Sequence, residues 1–265
     1  MHTVPFLGLE PTEDPAAWRL PVVQALATGG GFLFGGAGLG AAVAAMERTS
    51  GRPLVWATAQ YLSFARPPDV VDVRVTLSQV GNATTQARAV ATVGDQEIFT
   101  VNGALGSRDV DLDGQWAEMP TVLPPDDCPP RQLLARHTES IMSRIESRLA
   151  IGRQRDDLDG QPTTDGRSAL WARVPGLDTG AALLGILGDY VPFGVGQALG
   201  AHAGGRSLDN TIRIVRIVPT DWVLLDIRVQ AVASGYGHGL VHLWAEDGTL
   251  LATASQTCAV RRHRP

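Results

Sequence analysis

The sequence predicts an α+β fold made of two copies of one unit, each a buried helix wrapped by a curved antiparallel sheet. A run of small residues at 32–46 (FLFGGAGLGAAVAAM) predicts the first helix. Segments in which apolar and polar residues alternate predict the strands. Three pairs of matching landmarks, each pair separated by 154 residues, predict the duplication.

The small-residue run is interpreted as a helix with almost no side-chain bulk. Gly36 and Gly40 each cost roughly 1 kcal/mol in a helix interior, so a sheet or a ligand must approach closely to offset the loss. A dinucleotide-binding turn is the competing interpretation of GAGLGA. That motif requires an acidic residue about 20 positions further on, at the end of the next strand. The next strand, at 53–58 (PLVWAT), ends without one, which favours the buried helix.

Strands account for most of the first half. One strand at 18–23 precedes the helix, and after it Val71, Val73 and Val75 face one way while polar residues face the other. Glycine-containing turns at 81–82 and 94–95 then separate strands at 84–93 and 98–105. This order predicts an antiparallel meander.

The second half repeats the first. Matching residues lie in the strands DVRV and DIRV and in the turns that follow them. A constant offset predicts a tandem duplication, and two repeats predict a pseudo-dimer rather than a solenoid. The pairs are Arg74 and Arg228, Gly81 and Gly235, and Gly94 and Gly248. The second unit is predicted to have a helix at 178–188 and strands at 169–174, 207–217, 222–232, 239–245 and 250–260.

Between the units, residues 107–131 are acidic and proline-rich, as is typical of a linker. Residues 133–149 are predicted to form an amphipathic helix with Ile141, Ile145 and Leu149 on one side. The predicted organisation is therefore an N-terminal unit (1–106), a linker with a helix (107–167) and a C-terminal unit (168–265).

Composition narrows the class of protein. The 22 basic and 27 acidic residues are spread along the chain, which argues against a nucleic-acid surface. Cys128, Cys258 and the six histidines lack the spacing of a metal site or a disulfide framework. The chain does not open with a secretory signal, and the uncharged run at 29–46 is too weakly apolar for a membrane span. A cytoplasmic protein without a metal is expected.

Two polar residues stand in apolar surroundings. Gln256 shares a strand face with Ala252, Ala254 and Cys258, so its amide is expected to be buried and hydrogen-bonded. It either serves a site or fixes a backbone bulge. The repeat offset places Asn102 at the matching point of the first half.

Asp189 is the second such residue, and it is the only charged residue between Asp178 and Arg206. It is predicted to follow the end of a helix, where the dipole disfavours a carboxylate and apolar surroundings raise its pKa. Such an acid is either a functional residue or a solvent-facing loop residue. Ser207, Asp209 and Thr211 alternate along the next strand, and by themselves they favour a wetted sheet face.

Several segments resemble the acyl-CoA thioesterase II family. They occur in the order of that family from about residue 31 to residue 262. In the first half they are LFGGAGLGAAV, SFARPPD (63–69), VGNATTQARAVATVGDQEIF (80–99) and Met119-Pro120; in the second they are LLGILGDYVPFGVGQAL, SLDNT and ATASQTCAVR. The resemblance implies a tandem double hotdog fold, in which each half is a long helix wrapped by an antiparallel sheet.

The resemblance also implies site residues. The family's hydrolytic aspartate, Ser or Thr, and glutamine fall on Asp189, Ser207 and Gln256. Three departures bear on the substrate. Tyr61 stands where many members have His, Ala37 stands where a Gln is usual, and Asn210 and Thr211 replace a His and an aromatic residue.

The implied activity is hydrolysis of fatty acyl-CoA to free fatty acid and CoA, within fatty acid metabolism. Asp189 would activate a water that Ser207 and Gln256 hold. Backbone N–H groups of Gly35, Gly36 and Ala37 would bind the thioester carbonyl, with Tyr61 and Thr211 also contacting the substrate. CoA is part of the substrate, so no cofactor is expected.

The family habit suggests a homodimer or a larger homo-oligomer, without nucleic-acid or membrane partners. Two other functions remain open. One is a hotdog enoyl-CoA hydratase or dehydratase, which would require an Asp–His pair. The other is a non-catalytic protein that binds acyl thioesters, since Ala37 and the loss of the aromatic residues usual after Asn210 could mark a decayed site.

Overall fold

The computed structural model describes residues 2–262, which form one antiparallel sheet of 13 strands and five α-helices. The helices are α1 (Thr3–Leu7), α2 (Gly35–Ser50), α3 (Ile141–Arg144), α4 (Ala181–Leu187) and α5 (Val191–Leu199). The first six strands are β1 (Glu10–Pro11), β2 (Ala17–Pro21), β3 (Leu54–Tyr61), β4 (Val70–Val80), β5 (Thr84–Val93) and β6 (Gln96–Gly106). The others are β7 (Glu146–Ile151), β8 (Arg167–Arg173), β9 (Ala203–Ser207), β10 (Asp209–Ile214), β11 (Val223–Ala233), β12 (Tyr236–Ala245) and β13 (Leu250–Arg262).

The two predicted units share this sheet. Its order is β1-β2-β4-β5-β6-β3-β10-β13-β12-β11-β8-β7, and β9 pairs with β13 beside that path. Strands from the first half of the chain therefore fill one end, and strands from the second half fill the other. The join is the antiparallel pair β3–β10, where Ala59 lies opposite Asn210. The pseudo-dimer is thus closed by a strand pair as well as by side-chain packing.

Helix α2 is the buried helix of the first unit, and its residues from Gly36 to Met46 are buried. Its glycines allow two kinds of close approach. A Cβ atom on Gly40 would lie 2.8 Å from the carbonyl oxygen of Ala182 in α4, and a Cβ atom on Gly38 would lie 3.0 Å from the Phe99 ring. The cost in free energy of placing glycines inside a helix was expected to be offset by close packing against a sheet. In the structure it is offset by packing against helix α4 as well as against Phe99 in the sheet.

The second unit contains two helices where one was predicted. The predicted helix at 178–188 corresponds to α4, and the following α5 was missed. α5 packs against β8, β9, β11, β12 and β13, so it is the helix that the second half of the sheet wraps. The stretch Ala181–Leu199 is long and apolar enough to cross a membrane, but 78% of its most apolar window is buried inside the protein. Its apolar character is accounted for by the core.

The amphipathic helix predicted at 133–149 is wrong. The structure has a single turn of 3-10 helix at Ala135–His137, the short α3, and then strand β7. In β7 Ser147 and Leu149 are buried while their neighbours are partly exposed, which is a period of two. Pairing with β8 satisfies the backbone here, so tertiary contacts override the helical spacing of the apolar residues. The sheet of the second unit therefore begins near residue 146 and not at 168.

The first-half counterpart of Gln256 is Val101, not Asn102. Asn102 is exposed, whereas Val101 is fully buried and faces inward, as Gln256 does. Matching valines in the DVRV and DIRV strands fix this correspondence, because the cross-strand pairings run Val75–Ala89–Val101 and Val229–Gly239–Gln256. The same inward-facing position is therefore occupied by a polar residue, Gln256, in the second unit and by an apolar residue, Val101, in the first.

The linker covers the outer face of the second half of the sheet. Trp171, Trp222 and Trp244 lie on that face, and Met119 and Val122 of the linker pack against them. The Trp171 indole N–H donates to the carbonyl oxygen of Leu123 at 2.9 Å. This cover buries large aromatic side chains that would otherwise face water.

Candidate active site

Asp189, Ser207 and Gln256 meet around one carboxylate. The Ser207 hydroxyl donates to Asp189 Oδ1 at 2.8 Å. Gln256 Nε2 donates both to that same Oδ1 atom and to Ser207 Oγ, the second at 2.8 Å. Three separate segments supply these groups: the α4–α5 junction, the end of β9, and β13. The alternatives of a solvent-facing aspartate and a bulge-fixing glutamine are excluded by this geometry.

Asp189 also receives a hydrogen bond from the other half of the protein. The Gly36 backbone N–H, in the first turn of α2, donates to Asp189 Oδ2 at 2.6 Å. Asp189 follows the C-terminus of α4, as predicted. Its carboxylate also faces the N-terminus of α2, where the dipole favours a negative charge. A Cβ atom on Gly36 would lie 2.6 Å from the Ile186 carbonyl oxygen, so glycine is required for this approach.

Burial raises the pKa of Asp189 to about 6. Hydrogen bonds from Gln256, Ser207 and Gly36 oppose the effect of burial by stabilising the charged form, and the carboxylate of Asp209 reinforces it. The side chain is 4% exposed. A carboxylate with this pKa is able to take a proton from water near neutral pH.

A cavity of about 520 Å³ opens beside this cluster. Asp189, Ser207, Gly35 and Tyr61 line it where it meets the cluster. Its other walls come from the loop before α2, from linker residues 131–137, and from α5 and β9. The volume lies in the range of small-molecule sites, which are about 300–1,000 Å³.

Comparison with known proteins identifies the family. A family model described as the acyl-CoA thioesterase C-terminal domain matches residues 125–260. A crystal structure from Novosphingobium aromaticivorans, described as a candidate thioesterase, is 34% identical, covers 95% of this chain and 97% of its own, and has a TM-score of 0.84. The chain belongs to the acyl-CoA thioesterase II family.

Two more distant structures support the fold. An Alicyclobacillus acidocaldarius protein of unknown function with a hot dog fold has a TM-score of 0.82 at 20% identity, covering 97% of this chain and 96% of its own. The acyl-CoA thioesterase II TesB2 from Mycobacterium marinum has a TM-score of 0.76 at 20% identity and covers 98% of each chain. The predicted double hotdog is confirmed. No curated protein matched the chain.

The structure separates the three backbone groups that the family resemblance suggested for the thioester carbonyl. Gly35 lines the cavity. The Gly36 N–H is engaged by Asp189, so this amide orients the carboxylate instead of being free for substrate. Ala37 is fully buried inside α2 and is not part of the cavity wall.

Tyr61 lies beside Gly35, and its hydroxyl makes no hydrogen bond. A Cβ atom on Gly35 would lie 3.0 Å from Tyr61 Cζ and 2.7 Å from Asp189 Oδ2, so Tyr61, Gly35 and Asp189 adjoin one another. The Asn210 side chain is also close to Tyr61, yet neither amide atom of Asn210 has a partner. Burial, reinforced by Asp189 and Asp209, raises the pKa of Tyr61 well above its usual value, which keeps the phenol protonated.

Thr211 does not reach the site. Its hydroxyl lies 2.7 Å from the Thr58 hydroxyl across the β3–β10 pair, and it is absent from the cavity wall. In β10, Asn210 and Ile212 are fully buried while Thr211 is partly exposed. A break between β9 and β10 explains the difference, because Ser207 and Thr211 belong to separate strands and do not share one alternating face.

Sequence reasoning missed Arg131 and His137, which both line the cavity. They belong to the linker, and no local pattern marks them. Their positions depend on α5 and on the loop before α2, which are distant in sequence. Within residues 2–262, no group of three or more His, Cys, Asp or Glu side chains is arranged to hold a metal ion.

Proposed function

We propose that this protein is an acyl-CoA thioesterase, which hydrolyses fatty acyl-CoA to free fatty acid and CoA by direct attack of water. The observation that carries the proposal is a buried carboxylate, Asp189, held by Ser207, Gln256 and Gly36 at the wall of a cavity. Family membership supports hydrolysis of a thioester.

Asp189 acts as the general base in this proposal. A water at the cavity wall donates one proton to Asp189, and the Ser207 hydroxyl, which donates to Asp189 Oδ1 at 2.8 Å, holds the carboxylate in place for this transfer. Gln256 Oε1 is buried without a hydrogen-bond partner, so it is available to accept the second proton of that water. The two hydrogen bonds that Gln256 Nε2 donates fix the amide in this orientation.

The chemistry balances without any further reactant. The water oxygen forms a bond to the thioester carbon while its proton moves to Asp189. The tetrahedral intermediate then collapses, the carbon–sulfur bond breaks, and the proton on Asp189 passes to the leaving thiolate. The free acid and the thiol are the products.

The carbonyl oxygen needs hydrogen-bond donors as negative charge develops on it. The Tyr61 hydroxyl fits this role because it is protonated, unpaired and adjacent to Asp189. The Gly35 backbone N–H, at the start of α2 on the cavity wall, is the second candidate. The helix dipole favours negative charge at that end.

The two other functions fit less well. A hydratase of this fold works with an Asp–His pair, whereas the hydrogen bonds to Asp189 come from Ser207, Gln256 and Gly36. A purely binding protein would gain nothing from burying a carboxylate at a cost in free energy. That burial favours a catalytic site.

Replacing Asp189 by Asn tests the proposal. We expect Asp189→Asn to lower kcat for acyl-CoA hydrolysis by about 10²- to 10⁴-fold, the usual contribution of a general base. Asp247→Asn is the matched control, because Asp247 accepts the Thr249 N–H at 2.9 Å in an exposed turn and is not part of the cavity wall. The measurement is colorimetric release of the CoA thiol. Equal rates for wild type and Asp189→Asn would refute the mechanism.

A further inference from the structure

Unpaired polar atoms are concentrated on the wall of the cavity. Tyr61 Oη, Arg131 Nη1, His137 Nδ1 and His202 Nδ1 are all buried without a hydrogen-bond partner, and all four residues line it. Buried polar groups in folded proteins are normally paired, because an unpaired one costs free energy. The thioester carbonyl would pair Tyr61 Oη, but an acyl chain that is apolar throughout would leave the other three atoms unpaired after binding. Their concentration here points to a ligand with polar groups of its own.

Arg131 is the strongest of these groups. Its guanidinium lies over the Phe193 ring at 4.6 Å and over the Tyr190 ring at 5.7 Å. Within the described part of the chain, no carboxylate forms a salt bridge with it. Arg167 shows the usual arrangement, since it pairs with the buried Asp226 at 2.9 Å. A partly buried arginine without a counter-ion is costly unless an anion joins it.

The charged side chains on the cavity wall are positive, apart from the carboxylate of Asp189. Asp189 is the sole acidic side chain that lines the cavity among residues 2–262, whereas six arginines do. Of these six, Arg153 is paired, with Asp159. The cavity is therefore built to attract a negatively charged ligand.

His137 stands near Arg131 as a neutral hydrogen-bonding group. Burial, with Arg136, Arg131 and Arg155 nearby, lowers its pKa to about 4. Its Nδ1 atom faces Gly29, where a Cβ atom would lie 2.7 Å away. Near neutral pH this histidine adds a polar contact without adding charge.

Arg131 is also connected to the hydrolytic cluster. Tyr190, whose ring it overlies, directly follows Asp189 in the chain. Both Asp189 and Arg131 line the same cavity. A thioester held at Asp189 can therefore extend its acyl chain along this wall to the guanidinium.

We propose that the preferred substrate carries a carboxylate at the far end of its acyl chain, as in the monothioester of a dicarboxylic acid, and that Arg131 binds this carboxylate. The inference rests on the proposed thioesterase function and narrows its substrate class. Arg131 is a specificity-determining residue here and takes no part in the bond-breaking step. An arginine fork matches a carboxylate by two parallel hydrogen bonds.

The test compares pairs of CoA thioesters of equal chain length, one ending in a methyl group and one in a carboxylate, from butyryl and succinyl to decanoyl and sebacyl. We expect kcat/KM of the wild type to favour the carboxylated member of the best pair by about 10- to 100-fold, which is the usual range for a charge-assisted contact. Arg131→Met, which removes the guanidinium but leaves an apolar side chain of similar length to pack against Phe193, should abolish that preference. Arg136→Met, which removes another arginine from the wall, should leave it intact.

A second series separates the two sources of negative charge, since the phosphates of CoA could also bind an arginine. The same acyl groups are presented on N-acetylcysteamine, which carries no phosphate. Persistence of the preference, and its loss in Arg131→Met, supports the proposal. If Arg131→Met weakens both members of each CoA pair equally and has no effect on the N-acetylcysteamine series, Arg131 binds a CoA phosphate and the proposal is overturned.

The same pairs, made as non-hydrolysable thioether analogues, are measured by calorimetry. This binding assay gives the selectivity whether or not the protein hydrolyses thioesters. Absence of turnover with a preserved preference for the carboxylated analogue would reject the thioesterase mechanism and keep the ligand class. Turnover together with equal affinity for the methyl-ended and the carboxylate-ended analogue would reject the proposed ligand class and keep the thioesterase mechanism.

Discussion

The ionisation of Asp189 connects its burial to the activity at different pH values. Because burial raises the pKa of this carboxyl to about 6, the charged form that the proposed mechanism requires is lost at mildly acidic pH. We expect kcat/KM to be constant above about pH 7 and to fall tenfold per pH unit below about pH 6. The measurement is a pH profile with an uncharged acyl chain, so that the ionisation of the substrate does not interfere.

A plateau that extends down to about pH 4 would mean that the acting carboxyl is exposed to solvent, with an ordinary pKa. The residual activity of Asp189→Asn serves as the internal control. It should lack the inflection near pH 6, because the titrating group is gone.

Replacement of Tyr61 tests its proposed role as a hydrogen-bond donor to the thioester carbonyl. If its hydroxyl donates to the thioester carbonyl, Tyr61→Phe should lower kcat by about 10²-fold with little change in KM, because the bond strengthens as charge develops. The ring itself is kept in this variant, so packing against Phe99 at 6.5 Å between centroids is preserved. A change confined to KM would instead assign Tyr61 to substrate binding alone.

Gln256 and Asp189 could be predicted from sequence because each broke a local pattern, whereas Ser207 was indicated only by the family resemblance. Gln256 interrupts an apolar strand face, and Asp189 is isolated in an uncharged stretch. The hydrogen bond from Gly36 could not be predicted, since it joins residues 153 positions apart across the two halves. Arg131 and His137 were missed for the same reason.

At the scale of elements, the contact between α2 and α4 is the one that glycine makes possible. A Cβ atom on Gly40 would lie 2.8 Å from the Ala182 carbonyl oxygen and 2.8 Å from Ile186 Cγ1. We expect Gly40→Ala to lower the free energy of unfolding by about 1–3 kcal/mol, because backbone would have to shift. The measurement is denaturant unfolding followed by circular dichroism.

Gly185→Ala is the matched control for that contact. Gly185 lies in α4 on the same interface, but its Cβ atom would meet Leu39 Cγ at 3.5 Å, an ordinary contact distance. Alanine should gain up to about 1 kcal/mol of helix propensity there. Similar destabilisation by both variants would show that the interface does not depend on the close approach at Gly40.

Strands were predicted better than helices. The alternation in 84–93 gave β5 with the same bounds, because one face of that strand is buried and the other is wet. The segment 133–149 failed because its apolar residues match a helical spacing while its backbone bonds to β8. α5 was missed because a single apolar run contains two helices separated by the turn at Asp189.

For the whole molecule, the continuous sheet predicts cooperative behaviour. The β3–β10 pair joins the halves, α2 packs on α4, and the Asp189 carboxylate binds the Gly36 amide. Unfolding either half would expose a sheet edge and one face of a buried helix of the other. We expect one calorimetric transition whose calorimetric and van't Hoff enthalpies agree. Two resolved transitions would show that the halves unfold independently.

The shared β3–β10 join has a consequence for how the two copies could diverge. If two identical chains formed this pair, every substitution would appear in both of them. The position of Val101 and the position of Gln256 would then have to carry the same residue. Fusion into one polypeptide removes that constraint. Val101 can therefore be an apolar core residue in the first unit while Gln256 remains polar in the second. The first unit, which needs no polar group at that position, instead contributes the N-terminus of α2 to the Asp189 carboxylate of the second unit.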